Sequence, residues 1–270
     1  MAAHATGRPI IEVNTDTTIL ADTLRGDPLA RLETDILPAF LVSRSWYAAR
    51  DAGPPPVKVV EALPFGADGT PYLLLILQAE PPGRDAQRYF LPLAVSWDGA
   101  VDAGHRDALT ILRRGGTEGV LFDAMADDGF VRTLFQGFGT GEAVSGLRFR
   151  HAVGHGTGGW WQQGLPIRRL GGEASNSLLR LGDTAFLKVF RKLEAAGSPE
   201  VEMVRFLTED ARFDRVPPLL GWIEREDASG APISLAMVQG LVLPNDGDGW
   251  TYVTGHLEAR LRDFESGDRE

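Results

Sequence analysis

The pattern of apolar and polar positions predicts a sheet in the first half of the chain. Apolar-rich runs at Val57–Leu63, Tyr72–Ala79 and Tyr89–Trp97 are separated by turns that contain Pro and Gly. This spacing is typical of antiparallel strands. A helix at Leu32–Leu41 would pack against them, with a break at Pro38, because proline cannot continue a helix without losing a hydrogen bond.

The residues that follow predict three helices, a strand and a linker. The helices are predicted at Asp107–Arg113, Gly119–Ala126 and Gly129–Gly137. A short strand would cover Leu147–Val153, and the Gly-rich run at 154–159 would be a flexible connector. We therefore predict a first domain at 1–155, a second at 160–250 and the beginning of a third at 251–270.

Three further strands are predicted beyond the linker. They cover Leu165–Leu170, Leu178–Leu181 and Ala185–Phe190. A Gly-rich turn at 171–177 joins the first two, and Gly182-Asp183 is typical of a tight hairpin turn between the second and third. A polar loop would begin at Arg191.

The Gly-rich turn and the strand after it suggest phosphate binding. Backbone N–H groups of a Gly-rich turn can approach a phosphate closely, and a lysine one strand later can reach the same group. The candidate residues are Gly171, Gly172, Ser175, Asn176, Ser177 and Lys188. This is the layout of the nucleotide-binding half of a kinase fold. The alternative is an ordinary hairpin with a solvated lysine.

A helix predicted at Ser198–Asp210 supplies a carboxylate for the lysine. Ser198 would be its N-cap and Pro199 its first residue. Glu200 falls within the predicted apolar face of Met203, Val204, Phe206 and Leu207, and a buried carboxylate needs a cation. We therefore pair Lys188 with Glu200. Glu202 is a second candidate, and Glu200 could instead stabilise the helix N-terminus.

A buried strand at Ile233–Val242 leads into a polar segment. In kinases, the strand that leaves the small lobe binds adenine through backbone groups, which makes Gln239, Gly240 and Leu241 the hinge candidates. Phe186 shares a strand face with Lys188, so it is placed to cover the adenine.

Residues 170–252 resemble the maltokinases, a branch of the aminoglycoside-phosphotransferase-like kinases. The matching stretches are, in order, GGEASNS, FLKVFRKLE, SPEVEMVRFLTED, VPPLLG, LAMVQ and NDGDGWTY. Further upstream, ILPAFL at 36–41 and SWY at 45–47 are similar to the opening of the maltokinase N-terminal cap. Gly240 departs from the pattern, because an acidic residue is expected there.

The resemblance implies an α+β fold: an N-terminal cap with an antiparallel sheet and helices, then a protein-kinase-like small lobe with an antiparallel sheet and one αC-type helix. It implies an ATP-dependent kinase that makes maltose 1-phosphate for α-glucan and glycogen synthesis, with ATP and Mg²⁺ as cofactors. It also implies a trehalose-synthase-type partner enzyme or fused domain. Two alternatives stay open, a non-catalytic module that binds glucan or a partner, and the small lobe of an aminoglycoside-type phosphotransferase.

The family's catalytic base and metal aspartates lie in a second lobe, which also holds the sugar site. No His-x-Asp stretch follows the predicted hinge, where that lobe would begin, and Asp263-Phe264-Glu265 follows a charged run rather than an apolar strand. We therefore expect no catalytic and no metal-binding residue in these 270 residues, and no phosphoryl transfer by them alone.

The composition of the chain limits which partners and which cellular location the sequence favours. The net charge of −10 argues against nonspecific binding to nucleic acid or to an anionic membrane surface. There is no cysteine, so no disulfide framework is possible. The N-terminal residues lack the pattern of a secretory signal, and the longest apolar run, Leu73–Leu77, is too short to cross a bilayer. These features favour a cytoplasmic location.

Overall fold

The computed structural model describes residues 7–13, 19–66, 72–140, 145–155, 159, 164–170, 175–227, 229–242 and 249–266. The chain divides into two compact units. The first is Met1–Gly240, which contains both sheets, and the second is Leu241–Glu270, which contains one helix.

The first sheet has seven strands. They are β1 (Ile10–Glu12), β2 (Val57–Phe65), β3 (Tyr72–Ala79), β4 (Gln87–Ser96), β5 (Ala108–Arg114), β6 (Thr117–Asp123) and β11 (Lys192–Leu193). The order is β1-β5-β6-β4-β3-β2, and β11 pairs with β4. All pairings are antiparallel except that of β1 with β5.

Both faces of this sheet are covered. Along β3, Leu73, Leu75 and Leu77 belong to one buried cluster, whereas Leu74 and Ile76 belong to another. The first cluster includes residues of two short helices, α1 (Leu20–Thr23) and α3 (Leu37–Val42), and of the π-helical turn Leu32–Ile36, and Leu29 of a third short helix, α2 (Asp27–Arg31), packs against it. The second cluster includes residues of α4 (Asp128–Thr140) and of the second sheet.

The second sheet has six strands. They are β7 (Arg148–His151), β8 (Ile167–Leu170), β9 (Asn176–Leu181), β10 (Ala185–Phe190), β12 (Leu219–Glu226) and β13 (Pro232–Gly240). The order is β7-β12-β13-β10-β9-β8, and every pairing is antiparallel. Helix α5 (Pro199–Glu209) follows β10 and β11 and contacts β12.

The two sheets share one core. β7 precedes the predicted linker yet belongs to the second sheet, and β11 follows β10 yet belongs to the first. Residues from both sheets, such as Leu74 and Leu187, lie in the same buried cluster. The α+β class, with an antiparallel sheet and helices in each part, is confirmed, and the two parts are joined along this core.

Two of the predicted helices are strands. The predicted helix at Asp107–Arg113 is β5, and the one at Gly119–Ala126 is β6 followed by the short 3₁₀ turn Ala124–Ala126. Residues 108–112 are all buried because this strand is covered on both faces, so the alternation that identifies a half-exposed strand is missing. The predicted helix at Gly129–Gly137 is confirmed as α4.

The break predicted at Pro38 is wrong. The chain continues from the π-helical turn into α3, and Pro38 lies in the first turn of α3. Proline has no N–H to donate, and the turn just before it has π-helical rather than α-helical hydrogen bonding.

Helix α5 packs through a different face from the predicted one. Val201 is buried and Val204 packs against the core, whereas Met203 and Phe206 are exposed. Glu200 therefore lies on an exposed side of the helix rather than within a buried face. Ser198 takes the N-cap position, but its side chain makes no capping bond and its N–H donates to Ser234 Oγ over 3.1 Å.

The second unit contains α6 (Gly249–Ser266). Large apolar side chains along it, including Trp250, Leu257 and Phe264, are exposed. In the described part of the chain, every helix is too short or too polar to cross a membrane.

Candidate functional site

Lys188 forms an ion pair with Glu200. The Lys188 Nζ donates to both carboxylate oxygens of Glu200, over 2.6 and 2.7 Å. The ammonium also lies 5.9 Å from the centre of the Phe190 ring. The lysine side chain is 22% exposed and the glutamate 42%, so the pair stands at a surface that a ligand can reach. The structure thus pairs the lysine with Glu200 rather than with Glu202.

The surroundings of Lys188 follow from the strand register. Lys188 lies opposite Leu178 of β9 and Met237 of β13, and Phe186 lies opposite Gln239. Directly opposed residues share a face of the sheet, and so do residues two apart on one strand. Phe186, Lys188 and Gln239 therefore lie on one face.

The residues predicted around the Gly-rich turn do not all join this face. Gly171 and Gly172 lie outside the described residues. Ser175 precedes β9 and accepts a hydrogen bond from the Asn176 side chain over 3.1 Å. Ser177 lies opposite Val189, one position out of phase with Lys188, so its hydroxyl is on the other face of the sheet. The structure therefore does not bring the Ser177 hydroxyl together with Lys188.

At the predicted hinge, Gly240 is hydrogen-bonded to the segment before β12. Its N–H donates to the Pro218 carbonyl over 2.9 Å. A Cβ at this position would stand 3.0 Å from Pro218 Cγ, which gives a physical reason for glycine where an acidic residue was expected. The Gln239 side chain donates to the Pro217 carbonyl over 3.2 Å. Leu241 begins the second unit.

Arg191 joins the two sheets and was missed by the sequence reasoning, which placed it in a polar loop. Its side chain is 2% exposed, and it donates to Asp123 Oδ2 over 2.6 Å and to Ser177 Oγ over 2.7 Å. Its carbonyl accepts from the Phe90 N–H over 2.8 Å. The sequence gives no signal for this contact, because Asp123 is 68 positions away.

Burial shifts the pKa of groups around Arg191. Burial raises the pKa of the Asp123 carboxyl, and Arg191 together with the Met125 N–H opposes that shift. Burial likewise lowers the pKa of the Arg44 guanidinium, which donates to Asp107 over 3.0 Å. The buried Asp123 and Arg191 therefore depend on each other, and the half-buried Arg44 is paired with Asp107.

Among the described residues, no three metal-ligating side chains come together. On one face of the second sheet, the described residues bring together a cation, Lys188, an aromatic ring, Phe186, and the side chain of Gln239.

Residues 40–127 match the maltokinase N-terminal cap domain. The matched segment begins in α3 and ends just before α4, so it covers most of the first sheet. This segment is therefore similar to a maltokinase cap.

Similar solved structures are glucosamine kinases. One, in complex with glucosamine, ADP and inorganic phosphate, is 19% identical with a TM-score of 0.50, and the match covers 82% of this chain and 42% of that one. Another, glucosamine kinase in crystal form B, is 20% identical with a TM-score of 0.49 and the same two coverages. This chain thus spans less than half the length of those kinases. The similarity to the first of them extends beyond the matched cap segment and shows a kinase-like fold there.

Proposed function

We propose that residues 165–240 bind the nucleotide of an ATP-dependent sugar kinase of the maltokinase type. The observation that carries the proposal is the Lys188–Glu200 ion pair beside Phe186 on one face of an antiparallel sheet. The cap match and the kinase-like fold support the choice of kinase over an ordinary hairpin protein.

The role of the ion pair follows from the donors on the ammonium. The lysine ammonium carries three N–H donors, and two of them are used in the hydrogen bonds to the Glu200 oxygens. The remaining donor is available to a phosphate oxygen, while Glu200 fixes the position of the side chain. Holding the phosphates equally well before and during transfer does not accelerate the reaction, so this part contributes binding and orientation.

ATP supplies the phosphoryl group, and in kinases Mg²⁺ neutralises charge that develops on it. We propose maltose as the acceptor, with maltose 1-phosphate as the product feeding α-glucan synthesis. The groups that bind metal and activate the acceptor would lie outside the 270 residues, so we expect these residues alone to transfer no phosphoryl group.

Two measurements test the proposal. ATP binding to the chain is measured by calorimetry for the native sequence and for Lys188→Ala, which should weaken binding roughly tenfold or more, because a charge-assisted hydrogen bond is lost. Arg25→Ala is the control, because Arg25 lies in the cap, where its exposed side chain pairs with Asp22. Equal ATP affinity in all three proteins would contradict the proposal.

The acceptor is tested by fusing these residues to a complete second lobe and following ADP release with maltose, glucosamine and an aminoglycoside. A preference for maltose is expected. A preference for the aminoglycoside would overturn the substrate assignment and leave the nucleotide site intact. Turnover by residues 1–270 alone, above a Lys188→Ala control, would show that the catalytic groups are within them.

A further inference from the structure

A cavity of about 350 Å³ lies within the first unit, between the cap and the small lobe. Its wall includes the end of α3, the 3₁₀ turn after β6, and residues of β8 and β9. Its volume is within the range of small-molecule sites.

Charged side chains line this cavity unevenly. They are Arg44, Arg106, Arg169, Arg191, Asp107 and Asp123. Four arginines face two aspartates, so the lining has an excess of two positive charges in a chain whose net charge is −10. Both aspartates are already bound by arginine, Asp107 by Arg44 over 3.0 Å and Asp123 by Arg191 over 2.6 Å. The other two arginines also lie beside carboxylates, Arg106 at 3.3 Å from Asp107 and Arg169 at 2.7 Å from Asp128, so four arginines share three aspartates and one positive charge is in excess.

One arginine in the lining has an unused donor. Arg169 donates through Nε to the Met125 carbonyl and through Nη1 to Asp128, each over 2.7 Å. Its Nη2 is buried and has no hydrogen-bond partner among the described residues. A buried N–H without an acceptor costs free energy, so an acceptor that enters the cavity would remove that cost.

The arginine of β8 that lines the cavity lies on the face of the second sheet away from Lys188, although Asn176 and Leu178, which are in phase with Lys188, also contribute to the lining. Arg169 lies opposite Leu179, and Leu179 lies opposite Leu187, which is one position out of phase with Lys188. Ser177, which shares the face of Leu179, also lines the cavity and accepts from the buried Arg191. The side chains of Arg169 and Ser177 therefore lie on the face of the sheet away from Lys188.

We propose that this cavity binds a small anion that carries a phosphate group. Guanidinium groups suit phosphate because their planar, multiple N–H donors match its oxygens. Arg169 supplies the buried donor, and Arg106, whose side chain is 80% exposed, stands at the rim. The phosphate could come from inorganic phosphate or from the phosphate ester of a sugar, whose hydroxyls would meet Ser43 and Ser45 in the same lining.

The test is calorimetric titration of the whole chain with inorganic phosphate, with glucose 1-phosphate and with neutral glucose. Binding of either phosphate is expected, and the tighter of the two identifies the source. Arg106→Ala and Arg169→Gln should each weaken it roughly tenfold or more. Arg180→Ala, on the other face of β9, should leave it unchanged. Circular dichroism checks that each variant is folded. If Arg169→Gln does not fold, the result with Arg106→Ala decides the test.

Several outcomes would overturn the inference. They are no binding of either phosphate, equal binding of neutral glucose, and unchanged affinity in both arginine variants. Lys188→Ala separates this cavity from the nucleotide site. If that variant abolishes phosphate binding, the anion occupies the nucleotide site, and the cavity proposal fails while the proposed function stands. If it abolishes only ATP binding, both stand.

Discussion

Arg191 and Asp123 form an ion pair across the junction of the two sheets, with 2.6 Å between Nη2 and Oδ2 and with side chains 2% and 4% exposed. The Asp123 Oδ1 accepts from the Met125 N–H over 3.0 Å, so both carboxylate oxygens are bound. Because Arg191 follows β10 directly, this pair links the cap to the strand that carries Lys188.

Removing one partner of this pair should destabilise the protein strongly. Asp123→Leu or Arg191→Leu alone leaves a buried charge without a partner, which costs about 3–5 kcal/mol. The double variant should cost less than the sum of the two, because apolar residues that replace both charges avoid that penalty. Urea unfolding measures each free energy. Arg25→Ala, which removes an exposed pair with Asp22, is the control and should change it by less than about 1 kcal/mol.

Glu200 and Glu202 should differ in their effect on nucleotide binding. Glu200→Gln removes the carboxylate that holds Lys188 and should weaken ATP binding several-fold, whereas Glu202→Gln should not. Lys188→Arg should bind ATP more tightly than Lys188→Ala but less tightly than the native chain, because the planar guanidinium suits a point-charge role poorly. Calorimetry with ATP measures all three. The opposite order for the two glutamates would identify Glu202 as the working partner.

Gly137 should not tolerate a side chain. A Cβ at this position of α4 would stand 2.3 Å from Cζ of Phe149, whose ring packs against Phe138. We expect Gly137→Ala to lower the free energy of unfolding by about 1–3 kcal/mol, because overpacking displaces a buried ring. Gly255→Ala is the matched change, in α6 and with no atom within 4 Å of the new Cβ. It should leave the thermal midpoint unchanged or raise it, since alanine favours a helix over glycine.

Asp227 should make stability depend on pH. The pKa of Asp227 is lowered, first by the hydrogen bond from the Ser229 hydroxyl and then by the N–H groups of Ser229 and Ala231. The fold therefore favours the ionised form. This stabilisation is present above the unfolded pKa of about 3.9 and is lost as the pH falls through the lower folded value.

Asp227→Asn tests this dependence. The difference in thermal midpoint between the native chain and the variant should be largest near neutral pH and should shrink below pH of about 4. Ser229→Ala removes the largest cause of the shift and should reproduce part of the effect. Midpoint curves that stay parallel down to acid pH would contradict the prediction.

Local patterns were sufficient for much of the second sheet. The hairpin turn at Gly182-Asp183 and the strand Ala185–Phe190 are confirmed, and so is the helix that begins at Pro199. These elements depend on neighbours in the chain, since a Gly-Asp turn and a proline at the first helical position act within a few residues. The structure pairs Lys188 with Glu200 as predicted, but the argument for that choice was wrong, because Glu200 lies on an exposed side of α5.

The sequence by itself determined the α+β class, the kinase-like order of elements and the candidates for the Lys188 site. Only the tertiary structure decided that 108–112 is a strand, since cover on both faces removes the alternating pattern. It also decided that the Ser177 hydroxyl faces away from Lys188 and that Arg191 is buried against Asp123. Those facts depend on strand register and on contacts between residues far apart in the chain, which local propensity does not encode.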